Sequence, residues 1–377
     1  MQATAQTAKP ASTAEGGTPR VAVRLALALV FFFALDALVF RTGWYVRLLN
    51  PDSTAGFLQT YLWIEQQRPM TYPRQALAVG DSRMGVKARM ANALTPETRL
   101  RFGTIAVPGT TPRCWYYMLR ELDPDADRYA AIVIGLDTYD DRGFENLNDR
   151  ELDINYLTPL VGFADFVPFV SSYQSRPARI HAAEAILFKG LAYQRDFQDL
   201  LARRRTRLEV ARINHESAHE WFYNAVWERR SLAGMSVDWN ARKLSLPDWV
   251  DAQHRSIAEN LLLNDPPAYF DQLARYRRRW LGAILDRYRG SRTKIIFLQL
   301  PRGPVVRPNL TTDRTSSIRE FAAQGKALLM DEHKFDSLER PELFGDAQHL
   351  NEAGGLQFTT MVAEEVSRML GLAEGKR

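Results

Sequence analysis

The chain has 377 residues, of which 46% are apolar and 25% are charged, and its formal net charge is +5. This length and apolar content are enough to bury at least one large core, as one decorated domain or as two ordinary ones. The modest charge and the lack of a compact basic motif with interleaved aromatic residues argue against a nucleic-acid binder. Because Cys114 is the single cysteine, the chain can form no internal disulfide and no cysteine-based zinc cluster.

The N-terminal region carries the strongest compositional signal. Residues 1–20 are rich in Ala, Thr, Gly and Pro, and we expect them to form a disordered tail. The apolar run over residues 21–41 is long enough to cross a bilayer, since about twenty helical residues span the hydrocarbon layer of roughly 30 Å. The run is too long for the apolar core of a signal peptide and has no convincing small-residue cleavage site. We therefore expect an uncleaved transmembrane anchor, with Trp44 and Tyr45 at the membrane surface.

The charges around the apolar run predict its orientation. Lys9 and Arg20 lie in the short tail, and a short positively charged tail usually stays in the cytoplasm. The remaining chain would then lie on the periplasmic side of the cytoplasmic membrane. Asp36 is costly in lipid, so we expect it either to face a partner helix or to lie near the interface. The alternative for the whole run is a buried helix of a soluble protein.

After the anchor, residues 42–75 mix aromatic residues with Pro and Gln and are predicted to be a juxtamembrane connector. Short apolar runs follow, and most of them end in Gly or Pro, as buried strands do where they break into loops. These runs cover residues 76–79, 102–107, 130–134, 294–300 and 327–330. Helical patterns separate the first three runs, which predicts an α/β fold with a parallel sheet covered on both faces. The active sites of such sheets gather at the carboxyl ends of the strands.

Residues 142–290 interrupt this alternation. They are mostly helical in pattern and rich in Arg, Trp and Tyr, and we expect a helical insertion that forms a cap or side subdomain. The insertion divides the predicted domain into a first part, 76–141, and a second part, 291–377. A helix over about residues 352–370 is expected to close the sheet, because its apolar residues recur at helical spacing.

The insertion contains three features with a possible function. Its arginine clusters, within 203–212 and 275–279, indicate solvated faces or a surface for anionic lipid or an acidic polysaccharide. Its tryptophans are expected mostly in the core, although exposed ones would suit a sugar chain; they are Trp221, Trp227, Trp239, Trp249 and Trp280. His215 and His219 match the His-Glu-x-x-His zinc pattern. A solvent-facing helix is the favoured interpretation, because Glu220 follows directly and no obvious third ligand does.

The first group with candidate chemistry is Gly80-Asp81-Ser82-Arg83, directly after the first predicted strand. A serine on a strand-to-helix turn exposes its hydroxyl. Its backbone N–H would lie at the positive end of a helix expected from Val86, which favours a developing oxyanion. The alternative for Ser82 is a structural helix N-cap, since such tripeptides are common turn formers.

The second group runs from Asp346 to Asn351, before the last helix. A serine hydroxyl is a poor nucleophile until a base takes its proton, and an imidazole does this best when a carboxylate fixes its tautomer. Asp346 and His349 lie on one loop and can both point toward a serine on another loop. The alternative is a surface loop in which Asn351 caps the helix.

The third group comprises two glycine loops, at Pro108-Gly109 and at Gly135-Leu136-Asp137-Thr138. A glycine after a strand lets the backbone approach a substrate closely, so the N–H of Gly109 is a candidate second oxyanion donor. The alternative for both loops is ordinary strand termination.

In this order the three groups resemble the SGNH (GDSL-type) hydrolase superfamily, over residues 76–141 and 291–370. The resemblance implies a three-layer α/β/α sandwich of flavodoxin-like type and a catalytic triad of Ser82, His349 and Asp346, with no metal or organic cofactor. It also implies an oxyanion hole formed by Ser82, Gly109 and Thr138. Arg83, Asp137 and Asn351 are the residues that we expect to bind substrate.

One block departs from the family pattern. Where the family has an asparagine side chain as an oxyanion donor, this chain has Asp137. An ionised carboxylate only accepts hydrogen bonds and would oppose an oxyanion. Either Thr138 replaces the donor, or Asp137 points elsewhere, or the oxyanion hole has fewer donors; losing one such donor costs about a hundredfold or more in rate.

A single membrane helix before an SGNH-like domain is similar to the accessory proteins of cell-envelope polymer acylation, such as alginate O-acetylation proteins and the D-alanyl transfer protein of teichoic acid synthesis. This resemblance implies O-acyl transfer to an envelope or extracellular polysaccharide, or ester hydrolysis if water replaces the polymer. It also implies a multi-spanning membrane O-acyltransferase as the partner that delivers the acyl group. The alternative is a catalytically inactive assembly or polysaccharide-binding protein that keeps the fold.

Overall fold

The structure is a computed structural model, and it describes residues 18–141, 147–218, 225–264, 270–307 and 315–372. Its strands are β1 (Gln75–Gly80), β2 (Arg101–Ala106), β3 (Ala131–Leu136), β4 (Ser236–Asp238), β5 (Lys243–Ser245), β6 (Lys294–Gln299) and β7 (Leu328–Leu329). The helices before the third strand are α1 (Thr18–Phe40), α2 (Thr54–Gln67), α3 (Ala88–Ala93), α4 (Thr95–Thr98) and α5 (Pro112–Leu122).

The remaining helices follow in chain order. They are α6 (Glu151–Leu157), α7 (Phe166–Val170), α8 (Arg176–Leu187), α9 (Lys189–Ala192), α10 (Gln194–Ala202), α11 (Arg204–Glu216), α12 (Ala252–Leu263), α13 (Phe270–Arg287), α14 (Ser317–Ala323) and α15 (Glu352–Met369). The chain is therefore an α/β protein.

A five-stranded parallel sheet lies at the centre, in the order β2-β1-β3-β6-β7. The five apolar runs of the sequence form these strands, with ends shifted by only a few residues. Successive side chains of a strand point to opposite faces. Thus Leu77 and Val79 of β1 join one core, while Ala76 and Ala78 join the other. Helices cover both faces, which confirms the predicted parallel sheet.

The first core is the larger one. It combines side chains of the sheet with those of α2, α5, α6, α8, α13 and α14, whereas the second core combines the sheet with α3, α12 and α15. Helix α2 lies in the segment 42–75 that we predicted to be a connector, and its Leu58 and Leu62 are fully buried against the sheet. Tertiary burial thus makes part of that segment a layer of the fold.

Helix α1 is the only helix among the described residues that is long and apolar enough to cross a membrane. By length and composition it can be an anchor or a signal sequence. Nearly all of it is exposed except Asp36, whose carboxylate accepts hydrogen bonds from the N–H of Gly190 at 2.6 Å and from Nε of Arg41 at 3.1 Å. The polar partner of Asp36 is therefore a segment of the same chain.

The insertion joins the sheet through a buried ion pair. Nη1 of Arg113, on α5, lies 3.2 Å from Oδ2 of Asp153, on α6, and both side chains are inaccessible to solvent. Arg113 also donates to the carbonyl of Asn148 at 2.9 Å, and its guanidinium lies 3.9 Å from the ring centre of Tyr173. Two elements that are distant in sequence are therefore held by one fully buried cation.

We expect Arg113→Ala to lower the free energy of unfolding by about 3–5 kcal/mol, because the substitution leaves the Asp153 carboxylate buried without its cation. Replacing both partners, as Arg113→Met with Asp153→Leu, should restore a large part of that loss. Thermal or urea unfolding of the full chain in detergent measures both changes.

The exposed pair of Arg278 and Glu320, 3.1 Å apart, provides a matched control. Its variant Arg278→Ala should cost about 1 kcal/mol or less, because solvent screens an exposed pair. Equal losses for Arg113→Ala and Arg278→Ala would contradict a structural role of the buried pair.

Candidate active site

Several loops meet at the carboxyl edge of the parallel sheet. Ser82 follows β1, Gly109 follows β2 and Asp137 follows β3. The loop before α15 contributes Asp346 and His349 at the same edge. The order of strands explains the convergence, because β1 lies between β2 and β3 in the sheet.

Ser82, His349 and Asp346 form a continuous hydrogen-bonded chain. Oγ of Ser82 lies 2.8 Å from Nε2 of His349, and Nδ1 of His349 lies 2.9 Å from Oδ2 of Asp346. A carboxylate at Nδ1 favours the tautomer in which Nε2 is free to accept the serine proton. All three side chains are at most partly exposed. The arrangement has the geometry of a nucleophile, a general base and an orienting carboxylate.

The loop that holds His349 is fixed mainly by its own backbone. Oδ1 of Asp346 accepts hydrogen bonds from the N–H groups of Gln348 and His349, both at 2.8 Å. The N–H of Gly345 donates to the carbonyl of His349 at 2.9 Å. Asp346 therefore both orients the imidazole and closes the turn that carries it.

The same hydrogen bonds set the ionisation of Asp346. Burial acts to raise its pKa, but the hydrogen bond from the His349 side chain, the attraction of that ring and the two backbone N–H donors outweigh burial and lower the pKa. Asp346 is consequently a carboxylate at neutral pH, as its role beside an imidazole requires.

Asn351 occupies the N-cap of α15. Its Oδ1 accepts from the N–H of Gly354 at 3.0 Å, and its Nδ2 donates to the carbonyl of Glu342 at 2.8 Å. The residue is buried, and it is not among the described residues that line the pocket next to Ser82. We expected Asn351 to bind substrate; the structure places it where it positions the His349 loop.

The turn that carries Ser82 is braced by its neighbours. Asp81 receives the Arg83 guanidinium, with Nη2 of Arg83 2.6 Å from Oδ2 of Asp81, and also the N–H of Arg83 at 2.9 Å. Burial acts to raise the pKa of Asp81, but the charge and hydrogen bonds of Arg83 lower it overall. Arg83 lines the pocket with its charge already paired to Asp81.

The helix after Ser82 begins later than the sequence indicates. Helix α3 starts at Ala88, whereas we expected helix from Val86. The helix dipole acts within the first turn, so it does not reach the N–H of Ser82. Stabilisation of an oxyanion must come from individual donors.

Two backbone N–H groups are available for that purpose. Among the residues that the structure describes, no acceptor takes the N–H of Ser82 or of Gly109, and both residues line the pocket. Gly109 has a φ of +70°, a left-handed conformation that glycine adopts without strain. A Cβ at this position would lie 3.3 Å from Leu152. The conformation and the tight space both favour glycine at the expected second donor.

Thr138 and Asp137 lie at the end of β3 in different roles. The hydroxyl of Thr138 accepts from the N–H of Asp140 at 3.1 Å, and Thr138 is not among the described residues that line the pocket. Asp137 does line it. Oδ1 of Asp137 accepts from the N–H of Thr138 at 3.0 Å and from Nη2 of Arg277 at 3.2 Å. The carboxylate of Asp137 is therefore held by a buried arginine.

The pocket beside Ser82 has a volume of about 270 Å³. Its wall combines Ser82 and Gly109 with charged groups and a few apolar side chains. The charged residues of the wall are Asp81, Arg83, Asp137, Arg150 and Arg277, and the apolar ones include Trp115, Leu147, Leu261 and Leu273.

Two residues at the site were not predicted from the sequence to belong to it. Arg277 belongs to a cluster that indicated a solvated face, yet it is 2% exposed. A signal existed, because Leu273 and Leu281 lie four residues before and after it on the apolar stripe of α13.

The other residue, Trp227, stacks on His349, with ring centres 4.1 Å apart and planes inclined by 19°. It reaches the loop from the insertion, and Gly345 makes the approach possible, because a Cβ there would lie 1.8 Å from the carbonyl oxygen of Trp227. No local pattern in the sequence could indicate this contact.

The zinc pattern is not assembled in the described part of the chain. Helix α11 ends at Glu216, His215 lies edge-on to Trp63, and His219 lies outside the described residues. No group of three or more His, Cys, Asp or Glu side chains with metal-binding geometry occurs among the described residues.

The lowered pKa of Asp346 predicts a pH dependence of stability. A carboxylate with a lowered pKa stabilises the fold above its ordinary value of about 4, and this contribution is lost as the pH falls through the lowered value. The difference in melting temperature between wild type and Asp346→Asn should therefore be largest near neutral pH and shrink toward about pH 3.

The exposed Asp125 gives a control for this measurement. We expect Asp125→Asn to show a small difference from wild type that changes little with pH. If the difference for Asp346→Asn also stayed constant across the acid range, the hydrogen bonds to Asp346 would not be setting its ionisation.

Comparison with known proteins gives no indication of function. No protein-family model, no curated protein and no solved structure matches this chain.

Proposed function

We propose that the chain is a membrane-anchored, SGNH-type serine O-acyltransferase, or acyl esterase, that acts on a cell-envelope or extracellular polysaccharide. The observation that carries the proposal is the Ser82–His349–Asp346 chain of hydrogen bonds, with 2.8 Å between nucleophile and base. The free N–H groups of Ser82 and Gly109 beside that serine support it further.

In the first half of the proposed reaction, Oγ of Ser82 attacks the carbonyl carbon of an acyl donor while Nε2 of His349 takes the hydroxyl proton. The carbonyl oxygen becomes an oxyanion and accepts hydrogen bonds from the backbone N–H groups of Ser82 and Gly109. The intermediate collapses, the bond to the leaving group breaks, and His349 returns the proton to that group. Asp346 stabilises the imidazolium that exists between the two proton transfers.

In the second half, His349 takes a proton from a hydroxyl of the polysaccharide, whose oxygen attacks the acyl-Ser82 ester. The second oxyanion collapses, the acyl group moves to the polymer, and the proton returns to Oγ of Ser82. If water attacks instead, the same steps make the site an esterase. A multi-spanning membrane O-acyltransferase is the proposed donor partner, because an anchored domain outside the membrane needs its acyl group delivered there.

The fold and the N-terminal helix support the setting of this reaction. Counted along the central sheet, the strand order is 2-1-3-4-5, which is the order of flavodoxin-like sandwiches. We propose that α1 is an uncleaved anchor in the cytoplasmic membrane and that the positively charged tail keeps the active site on the periplasmic side.

The proposal can be tested by labelling the full chain with a fluorophosphonate, which reacts with activated serines. We expect one labelled residue, Ser82, and a labelling rate that falls by on the order of 10⁴-fold or more in His349→Ala, because the serine then loses its base. Peptide mass spectrometry locates the label.

The exposed Ser337 provides the matched control, and Ser337→Ala should label like wild type. Absence of labelling in the intact protein, or equal labelling of wild type and Ser82→Ala, would contradict the enzyme and favour a catalytically inactive protein that binds polysaccharide or assembles a complex.

Trp227 gives a second prediction as a positioning residue. Its indole stacks on the His349 ring and restrains it, and a displacement of about 1 Å at a catalytic group can cost up to a hundredfold in rate. With a p-nitrophenyl ester of a short acid, we expect Trp227→Ala to lower kcat about tenfold or more and to leave KM nearly unchanged.

Trp227→Phe keeps a flat ring over the imidazole and should retain most of the activity. If the phenylalanine variant were as slow as the alanine variant, or if the alanine variant matched wild type, the stacking would not position His349. Melting temperatures of both variants separate this effect from general unfolding.

A further inference from the structure

The insertion contacts α1 about two turns before the C-terminal end of that helix. The ring of Phe188 lies 6.4 Å from that of Phe32 and 5.4 Å from that of Phe33. The N–H of Gly190 donates to Asp36, one turn further along. Phe188, between α8 and α9, and Gly190, on α9, therefore contact α1 over about one helical turn, from Phe32 to Asp36.

The rise per residue of an α-helix gives the distance of these contacts from the C-terminal end of α1. Phe32 lies eight residues before Phe40, where α1 ends, which corresponds to about 12 Å along the axis. If α1 crosses a membrane, the segment around Phe188 lies beside it below the level of Phe40. Interfacial segments of membrane proteins bury their apolar faces about 5–10 Å into the boundary of headgroups and acyl chains.

Arg41 marks the upper edge of this contact. Its guanidinium donates to the carbonyls of Ile186 and Leu187 at 2.7 and 2.9 Å, at the C-terminal end of α8. The same guanidinium lies 4.2 Å from the ring centre of Phe163. Arg41 directly follows α1. Its guanidinium therefore holds the end of α8 and Phe163 close to the C-terminal end of α1.

The surface around this contact is apolar and exposed. The interfacial patch, as we define it, consists of Phe163, Val167, Ile180, Phe188 and Leu191. Phe163 is 62% exposed and Val167 72%, while Ile180 and Leu191 are each about half exposed. Contiguous exposed apolar surface of this kind marks a site of interaction with protein or membrane.

The part of the patch formed by residues 160–170 carries little charge, whereas Ile180 on α8 lies between the exposed Arg176 and Glu184. Residues 160–170 contain one ionisable side chain, Asp165, and its two carboxylate oxygens accept from Arg120 at 2.5 and 3.0 Å. Asp165 is also buried. The exposed side of this segment consequently presents Phe163, Val167 and their small or apolar neighbours.

We propose that the interfacial patch inserts into the bilayer beside α1, so that the insertion seats the catalytic domain on the membrane in a fixed orientation. The occupant of the patch is lipid, because the patch is continuous with α1 and Phe188 contacts that helix below its end. The inference rests on the proposed anchoring role of α1. It makes the insertion a second membrane contact, in addition to the helix.

Spin labels on the full chain in lipid vesicles test this proposal. The native Cys114 is buried and is first replaced as Cys114→Ala. Single labels are then attached through Val167→Cys, Ile180→Cys and Leu191→Cys in the patch. We expect these labels to collide with oxygen dissolved in the bilayer and to lose collisions with an aqueous nickel chelate.

Two control labels make the outcomes distinct. Leu29→Cys lies on α1 and reports whether the helix is in the bilayer. Ile257→Cys lies on α12, where the native side chain is 47% exposed, close to the exposure of Ile180, and should collide with the nickel chelate. Fluorophosphonate labelling of Ser82 checks that each variant is folded, since none of these positions belongs to the active site.

The proposal is overturned if the label at Leu29 is in the bilayer while the three patch labels behave like the label at Ile257. It is also overturned if the patch labels are protected from both reagents, because a second copy of the chain would then cover the patch. A label at Leu29 that behaves like the one at Ile257 would refute the anchor itself, and with it the membrane setting of the proposed function.

Discussion

The packing of the insertion against the sheet layer depends on the buried ion pair of Arg113 and Asp153. Taking a guanidinium out of water costs several kcal/mol, which is offset only when a carboxylate and further acceptors surround it. Burial raises the pKa of Asp153 even with the Arg113 charge beside it. Thr111 bridges this pair to the pocket, because its hydroxyl lies 2.7 Å from Oδ2 of Asp153 and Thr111 lines the pocket wall. Thr111 thus contacts both the buried ion pair and the pocket.

The requirement that a buried guanidinium be paired with carboxylates also applies to the two arginine clusters. Each cluster has exposed members and one buried member that is paired with carboxylates: Arg207 with Asp196, and Arg277 with Asp137 and Asp141. A charge run in the sequence indicates a solvated face because most of its members are solvated. For Arg277 the buried position is indicated by Leu273 and Leu281, four residues before and after it, whereas for Arg207 only Ala211 gives such a signal, because residue 203 is another arginine. The clusters are therefore partly structural joints rather than uniform binding surfaces.

The sheet and the proposed triad could be predicted because their signals are local. A short, continuous apolar run that ends in glycine is typical of a buried strand. Active-site residues gather at the carboxyl ends of parallel strands. The burial of α2 and the stacking of Trp227 on His349 could not be predicted in this way. Both are contacts between segments that are distant in sequence, and each segment by itself resembles an ordinary amphipathic or aromatic stretch. The late start of α3 shows the same limit at a helix boundary.

Asp137 illustrates how a charge that opposes the proposed chemistry is neutralised by its surroundings. Its Oδ1 is shared between the N–H of Thr138 and the guanidinium of Arg277, a residue that stays charged at any physiological pH. An oxyanion on Ser82 and Gly109 would therefore face a paired carboxylate and not an isolated one. The pair still supplies no side-chain amide donor, and each absent donor costs about 10²–10³ in rate. On the proposed function, this loss is tolerable with an activated acyl donor and would be severe with an ordinary ester, which favours transfer from a delivered acyl group over general hydrolysis.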